Sequence, residues 1–142
     1  MIRDKITIYE HHRILKLNLI DNVKRDIGVV ADFGNIRQVD EKIEDFIPLF
    51  SDKIKHVHLK DFGITRKDKR TKNSDEFYTI DKDYIGDYLF GEGDVNFKEG
   101  FSELKKIGYD GYYAIERTEK SKDDIDKYLK NIEYVCETAR LS

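Results

Sequence analysis

Four residues with metal-binding side chains each stand at or near the end of a strand-like segment of this 142-residue chain. Glu10 ends KITIYE, Asp32 ends IGVVAD, His58 lies in KHVHLKD, and Glu116 ends GYYAIE. Carboxylate oxygens and an imidazole nitrogen are ligands that divalent Mn²⁺, Mg²⁺, Co²⁺ or Zn²⁺ accepts. Parallel α/β sheets gather their functional groups at the C-terminal ends of the strands. The sequence therefore predicts a metal site made of these four residues.

Each of the four residues also has an ordinary structural interpretation. A single Glu or Asp at the end of a strand commonly caps a helix or lies at the surface. A single inward-facing His is more often a core residue than a ligand. The metal-site prediction depends on the four residues occurring together, each in a strand-end motif.

Short apolar segments rich in β-branched residues alternate along the chain with segments of helical periodicity. This alternation is typical of repeated βα units and a parallel sheet. Strands are predicted at residues 5–10, 27–32, 54–59 and 112–116. The third of these places His56 and His58 on one face, because side chains alternate along a strand.

Helices are predicted to connect and follow these strands. A short crossover at 13–26 follows the first strand, and the periodicity of apolar residues favours a helix at 40–50. About thirty residues after Asp61 lack a regular pattern and are predicted to form a long loop.

Two further helices have clearer signals. In the segment 97–108, Asn96 is a suitable N-cap and Gly108 a suitable stop. The last helix, 123–139, is predicted to bury an apolar stripe that consists of Ile125, Leu129, Ile132 and Cys136.

Composition limits the class of protein. A chain of 142 residues with 39% hydrophobic residues can bury one ordinary core, so we expect a single domain over residues 1–142. A net charge of −3 gives no electrostatic reason to expect nucleic acid as a partner. The single cysteine, Cys136, excludes an intrachain disulfide and favours a reducing compartment. With no membrane-length apolar run and no signal peptide, we expect a cytoplasmic protein.

Three segments resemble the C-terminal half of the xylose-isomerase-like sugar phosphate isomerase/epimerase superfamily: GVVADFGNI, IKHVHLKDF and LFGEGDVNFKEGFSELKKIGYDGYYAIE. Within that superfamily, DFGN, with Asn35 where many relatives carry His, looks most similar to the L-ribulose-5-phosphate and L-xylulose-5-phosphate 3-epimerases. The resemblance implies a (β/α)₈ TIM barrel. This chain would then be its C-terminal half, strands five to eight.

The resemblance also implies a reaction and roles for residues. Isomerases and epimerases of this kind move a proton at a carbon beside a ketose carbonyl, and a divalent cation stabilises the enediolate charge that forms. Glu10 and Glu116 would be the catalytic acid and base as well as metal ligands, and Asp32 and His58 would complete the metal site. The residues implied to bind the sugar or sugar-phosphate substrate are Asn35, Lys60, Asp61, Gly91 and Gly93.

Several of these implied roles have structural alternatives. Asn35 could instead cap a helix, and Lys60 and Asp61 could form a salt bridge or orient His58. The backbone N–H groups near Gly91 and Gly93 could bind a phosphate, since glycine permits close approach of a ligand to the main chain.

Other functions stay open at this point. The chain could be one piece of a split barrel, completed by an N-terminal half-barrel partner or by self-assembly as a homo-oligomer. It could also be a non-catalytic, truncated half-barrel that keeps the fold, with or without the metal, but lacks the substrate walls of the missing strands. An open half-barrel exposes two strand edges, so some partner is expected. An apurinic endonuclease of the same superfamily would need further His and Asp zinc ligands and a basic surface, neither of which the sequence shows.

Overall fold

The computed structural model describes residues 22, 27–65, 77–78, 84–116 and 125–142. Its elements in chain order are β1 (Val29–Asp32), α1 (Phe33–Gln38), α2 (Ile43–Leu49), β2 (Ile54–Leu59), β3 (Phe62–Thr65), β4 (Phe77–Tyr78), β5 (Tyr84–Asp87), α3 (Phe97–Lys106), β6 (Tyr113–Ile115) and α4 (Ile125–Leu141). The predicted strand at 5–10 and nearly all of the predicted crossover at 13–26 lie outside the described residues. Among the helices that are described, none is long and apolar enough to cross a membrane.

The main sheet is parallel, with β2 between β1 and β6. The predicted strands at 27–32, 54–59 and 112–116 are confirmed, with ends that differ by two residues or fewer. The pairing register sets Asp32 opposite His58, and His58 opposite Ala114. The C-terminal ends of the three strands therefore lie side by side.

The two faces of this sheet differ in character. Val57 and Leu59 of β2 are fully buried in the hydrophobic core, while His56 and His58, which alternate with them, are half-buried. The same alternation puts Ala31 on the core side and Asp32 on the side of the histidines. One face thus packs on the helices, and the other carries the candidate ligands.

Aromatic side chains join α3 to α1 and to the segment before α3. Phe33, at the start of α1, has its ring centroid 6.0 Å from that of Phe97 and 5.8 Å from that of Phe101. The ring of Phe90 stacks on Phe97 at 4.9 Å. The side chains buried most completely in this core are Phe33, Phe50, Phe97, Ile47, Leu59, Leu104 and Val57.

The segment after Asp61 differs from the predicted loop. It contains a small antiparallel sheet in the order β3-β5-β4, in which Gly63 pairs with Gly86 and Ile64 with Ile85. These strands have two to four residues and include glycines, so their sequence lacks the alternation that marks a longer strand. The sequence pattern also does not predict α1, which has only six residues.

The buried face predicted for α4 is wrong. Ile125, Leu129 and Ile132 are 65%, 52% and 45% exposed, and Cys136 is exposed as well. The face that packs on the core is instead made of Asn131, Tyr134, Val135 and Ala139. Helical periodicity identified an apolar stripe, but that stripe points away from the core that the described residues form.

The ends of α3 follow the prediction. The Asn96 side chain accepts a hydrogen bond from the backbone N–H of Glu99, at 3.2 Å, and so caps the N-terminus. At the other end Gly108 has φ 70°, a backbone conformation that favours glycine, and the N–H of Tyr109 donates to the carbonyl of Leu104.

We expect Asn96→Ala to lower the free energy of unfolding by about 1 kcal/mol, since the helix loses the acceptor at its N-cap. Asn96→Asp keeps an acceptor at this position and should restore most of the loss. Urea unfolding of the three proteins checks this. An alanine variant as stable as the wild type would contradict the capping role.

Candidate metal centre

Asp32, His58 and Glu116 come together at the C-terminal ends of β1, β2 and β6. Asp32 and His58 are neighbours across the β1–β2 pairing, and the backbone N–H of Glu116 donates to the carbonyl of Leu59 at 2.8 Å, which extends the β2–β6 pairing beyond β6. One potential ligand atom from each of the three side chains lies within 4.8 Å of the others. This group is called the ligand cluster below.

The ligand cluster has a geometry and a donor set that a divalent cation fits. His58 Nδ1 lies 3.2 Å from Glu116 Oε2 and 3.9 Å from Asp32 Oδ2. Two carboxylates and an imidazole suit Zn²⁺ and Mn²⁺, and three converging protein ligands leave positions for water or substrate. The fourth predicted ligand, Glu10, lies outside the described residues.

Asp32 has a different partner for each of its oxygens. Oδ1 accepts a hydrogen bond from the backbone N–H of Asn35 at 2.8 Å and caps α1, while Oδ2 faces the ligand cluster. Burial raises the pKa of Asp32, an effect that Lys60 and the Asn35 N–H oppose and that the charge of Glu116 reinforces. The helix-cap and the ligand interpretations of this residue are therefore compatible.

Lys60 connects the two carboxylates of the cluster. Its Nζ lies 3.3 Å from Asp32 Oδ2 and 3.3 Å from Glu116 Oε1. The stem of Lys60 crosses α1 at Gly34, where a Cβ atom would lie 2.2 Å from Lys60 Cγ. Gly34 was not among the predicted site residues; the signal was a glycine one residue after Phe33, inside a helix, where glycine is disfavoured.

Asp61, the next residue, points away from the ligand cluster and into a loop. Its Oδ1 accepts hydrogen bonds from the backbone N–H groups of Phe62 and Val95, at 2.9 and 3.2 Å. Its Oδ2 accepts from Gly91 and Gly93, at 2.8 and 3.1 Å. Burial raises the pKa of Asp61, and these four N–H donors oppose that rise. The carboxylate therefore organises the loop 91–95.

The N–H groups of Gly91 and Gly93, predicted to bind phosphate, are those that donate to Asp61. Gly93 permits this contact because a Cβ atom there would lie 2.3 Å from Asp61 Oδ1. Substrate contact by Asp61, Gly91 and Gly93 stays a prediction, and these hydrogen bonds give all three a structural role. Asn35 contributes its backbone N–H to the cap of α1.

Asn131 is a buried polar residue that the sequence analysis missed. Its Oδ1 accepts a hydrogen bond from the backbone N–H of Phe90 at 3.0 Å, which ties α4 to the segment before the 91–95 loop. The signal was a second helical stripe in α4, in which Asn131 precedes Tyr134 and Val135 by three and four residues.

Residues 14–138 match the xylose isomerase-like TIM barrel family, and the chain belongs to this family. The match confirms the predicted superfamily. Together with the parallel sheet and its helices, it also confirms the predicted fold class, part of a TIM barrel.

Individual relatives fit the same assignment. The chain is 31% identical over 111 residues to the candidate L-ribulose-5-phosphate 3-epimerase SgbU of Haemophilus influenzae. The matched region covers 77% of this chain and 34% of that protein. A D-tagatose 3-epimerase-like protein superposes with a TM-score of 0.63 at 20% identity, over 99% of this chain and 44% of the other. IolI with a bound zinc atom superposes with a TM-score of 0.51 at 22% identity, over 87% and 38%. The chain thus spans less than half the length of each of these relatives.

We expect Asp61→Asn to lower the free energy of unfolding by about 3 kcal/mol. In the wild type four backbone N–H groups donate to the buried carboxylate, and in the variant some of them would face the side-chain NH₂ group, which is itself a donor. Amide hydrogen exchange at Gly91 and Gly93 should also become faster. Asp52→Asn, at an exposed carboxylate, is the control and should change stability by about 0.5 kcal/mol or less. Unchanged exchange in the Asp61 variant would contradict its role in the loop.

Proposed function

We propose that this chain is the metal-binding part of a sugar or sugar-phosphate isomerase or epimerase. The observation that carries the proposal is the ligand cluster, in which Asp32, His58 and Glu116 converge at the C-terminal ends of three adjacent parallel strands. Catalytic groups lie at this end of the strands in TIM-barrel enzymes. Membership of the family and the likeness to SgbU support the substrate class, a pentulose phosphate or a related ketose.

In the proposed reaction Asp32, His58 and Glu116, with Glu10, would hold a divalent cation, whose positive charge would stabilise the negative charge that develops beside the ketose carbonyl. For epimerisation, one of the two carboxylates, Glu116 or Glu10, would remove the proton from one face of the substrate carbon, and the other, as a carboxylic acid, would return a proton to the opposite face. The half-exposed side chain of Glu116 supports this role, because substrate could reach its carboxylate from solvent. Asn35 and Lys60 are proposed to contact substrate oxygens.

The metal site is tested by titrating the purified chain with Mn²⁺ and with Zn²⁺. We expect about one bound cation for each chain, and a strong loss of affinity in Glu116→Gln, which removes a charged ligand. Glu92→Gln, at an exposed carboxylate in the neighbouring loop, should bind as the wild type does. No stoichiometric metal in the wild type, or no loss in the Glu116 variant, would contradict the proposal.

The reaction is tested by proton NMR in deuterated water, with L-ribulose 5-phosphate and D-tagatose as the first substrates. Exchange of the proton beside the carbonyl should be about 10²- to 10⁴-fold slower in Glu116→Gln than in the wild type, the usual contribution of a general base. A chain that binds metal but exchanges no proton would instead be the non-catalytic half-barrel.

We further propose that the first half of a TIM barrel covers the exposed stripe of α4, whether as part of a longer chain or as a separate subunit. The last helix of a closed barrel packs beside the first βα unit. The chain spans 34% of SgbU and 44% of the D-tagatose 3-epimerase-like protein, which leaves length for such a half. A second copy of this chain is less suitable, because two ligand clusters at one barrel mouth would bring their carboxylates together.

Without that half, the stripe should cause the purified chain to self-associate at micromolar concentration. Leu129→Lys with Ile132→Lys should shift the chain toward the monomer, since each apolar side chain contributes up to about 1.5–3 kcal/mol when buried. Glu137→Lys, which makes the same change in net charge at an exposed position outside the stripe, is the matched control. Sedimentation equilibrium measures the masses; a wild type that is monomeric throughout would contradict the role of the stripe.

A further inference from the structure

The ammonium group of Lys60 lies between two carboxylates of the ligand cluster. Its ammonium group lies 3.3 Å from a carboxylate oxygen of Asp32 and 3.3 Å from one of Glu116. The Asp32 side chain is only 9% exposed, so its charge requires a partner inside the protein. Lys60 is thus an internal counterion of the ligand cluster.

We propose that Lys60 holds the cluster carboxylates in the metal-free chain and leaves them when a divalent cation binds. This inference rests on the proposed metal site. It adds that the affinity of the site for metal is set partly by competition between the cation and a lysine of the same chain.

The competition concerns particular oxygen atoms. Asp32 Oδ1 is engaged by the Asn35 N–H, so Oδ2 is the oxygen that this residue offers to a metal, and Lys60 contacts Oδ2. Glu116 divides its oxygens in a similar way, with Oε2 beside His58 and Oε1 beside Lys60. A cation held by Asp32 and Glu116 would therefore take the place of the ammonium at Asp32 Oδ2. It would also pull the Glu116 carboxylate away from Lys60.

The path of the Lys60 stem explains why the ammonium lies close to both carboxylates. The stem packs on the main chain of α1 at Gly34, where the lack of a Cβ leaves room for Lys60 Cγ, Cδ and Cε. Displacement of the ammonium by a metal requires rotation of the Lys60 side chain rather than a change in the backbone. A displaced ammonium that remained nearby would also repel the cation, and this repulsion would weaken metal binding further.

The deciding variant is Lys60→Met, which keeps an apolar stem and removes the charge. Binding of Mn²⁺ and Zn²⁺ is measured by competition with a fluorescent chelator. We expect about tenfold tighter binding than in the wild type, which corresponds to about 1.4 kcal/mol. Lys105→Met, at an exposed lysine in the last turn of α3, is the control for loss of one positive charge and should bind as the wild type does.

Thermal unfolding gives a second readout that does not depend on activity. Without metal, Lys60→Met should melt at a lower temperature than the wild type, because the buried carboxylate of Asp32 loses its partner. Added metal should then raise the melting temperature by more than it does in the wild type. If Lys60→Met fails to fold, Gly34→Ala decides, since the new Cβ displaces the Lys60 stem without removing the ammonium, and tighter metal binding is expected again.

The outcomes separate this inference from the proposed function. Metal binding by the wild type with equal or weaker binding by the deciding variant overturns the role of Lys60 and leaves the metal site intact. Absence of metal binding in the wild type and in the variants overturns both. If Lys105→Met also binds metal more tightly than the wild type, the effect comes from net charge, and the proposed local competition is overturned.

Discussion

The position of β2 between β1 and β6 is the constraint on which the candidate site depends. Its register brings Asp32 beside His58 and fixes Glu116 at the next strand. A slip of one residue would turn His58 toward the helices and expose Val57 and Leu59, at about 1.5–3 kcal/mol for each apolar side chain. The ion pairs of the half-exposed Glu116 contribute about 0–1 kcal/mol each, so the core contributes more to this register than those pairs do.

Two buried carboxylates near the end of β2 are stabilised in contrasting ways. Burial raises the pKa of both Asp32 and Asp61. Asp61 accepts hydrogen bonds from four backbone N–H groups, and three of them belong to the loop 91–95 and cannot leave without unfolding of that loop. Asp32 has one backbone donor and the side-chain ammonium of Lys60. The first arrangement is fixed by the fold, and the second leaves one carboxylate oxygen with a partner that a metal ion can replace.

The sequence predicted the elements whose pattern is long or whose ends carry a specific signal. The strands of the main sheet and the Asn96 cap belong to this group. Periodicity could not say which stripe of α4 meets the core, because Asn131 lies on the buried stripe and Leu129 on the exposed one. A salt bridge of Lys60 was among the alternatives that the sequence left open. Its partners and the hydrogen bonds of Asp61 were beyond prediction, since adjacent residues turn to opposite sides and only the path of the chain decides the side.

In the described residues, the apolar stripe of α4 and the ligand cluster are both exposed to solvent. His58 is 36% exposed and Glu116 is 50% exposed, so water reaches the cluster from the face of the sheet opposite the helices. In a closed barrel, strands from the other half enclose that same face. Two opposite charges 4 Å apart attract by about 1 kcal/mol in water but about 4 kcal/mol at an effective dielectric constant of 20. If a first barrel half covers the stripe as proposed, it would therefore also exclude water from the cluster and strengthen the charge interactions there. Assembly of the two halves and metal binding would then be coupled.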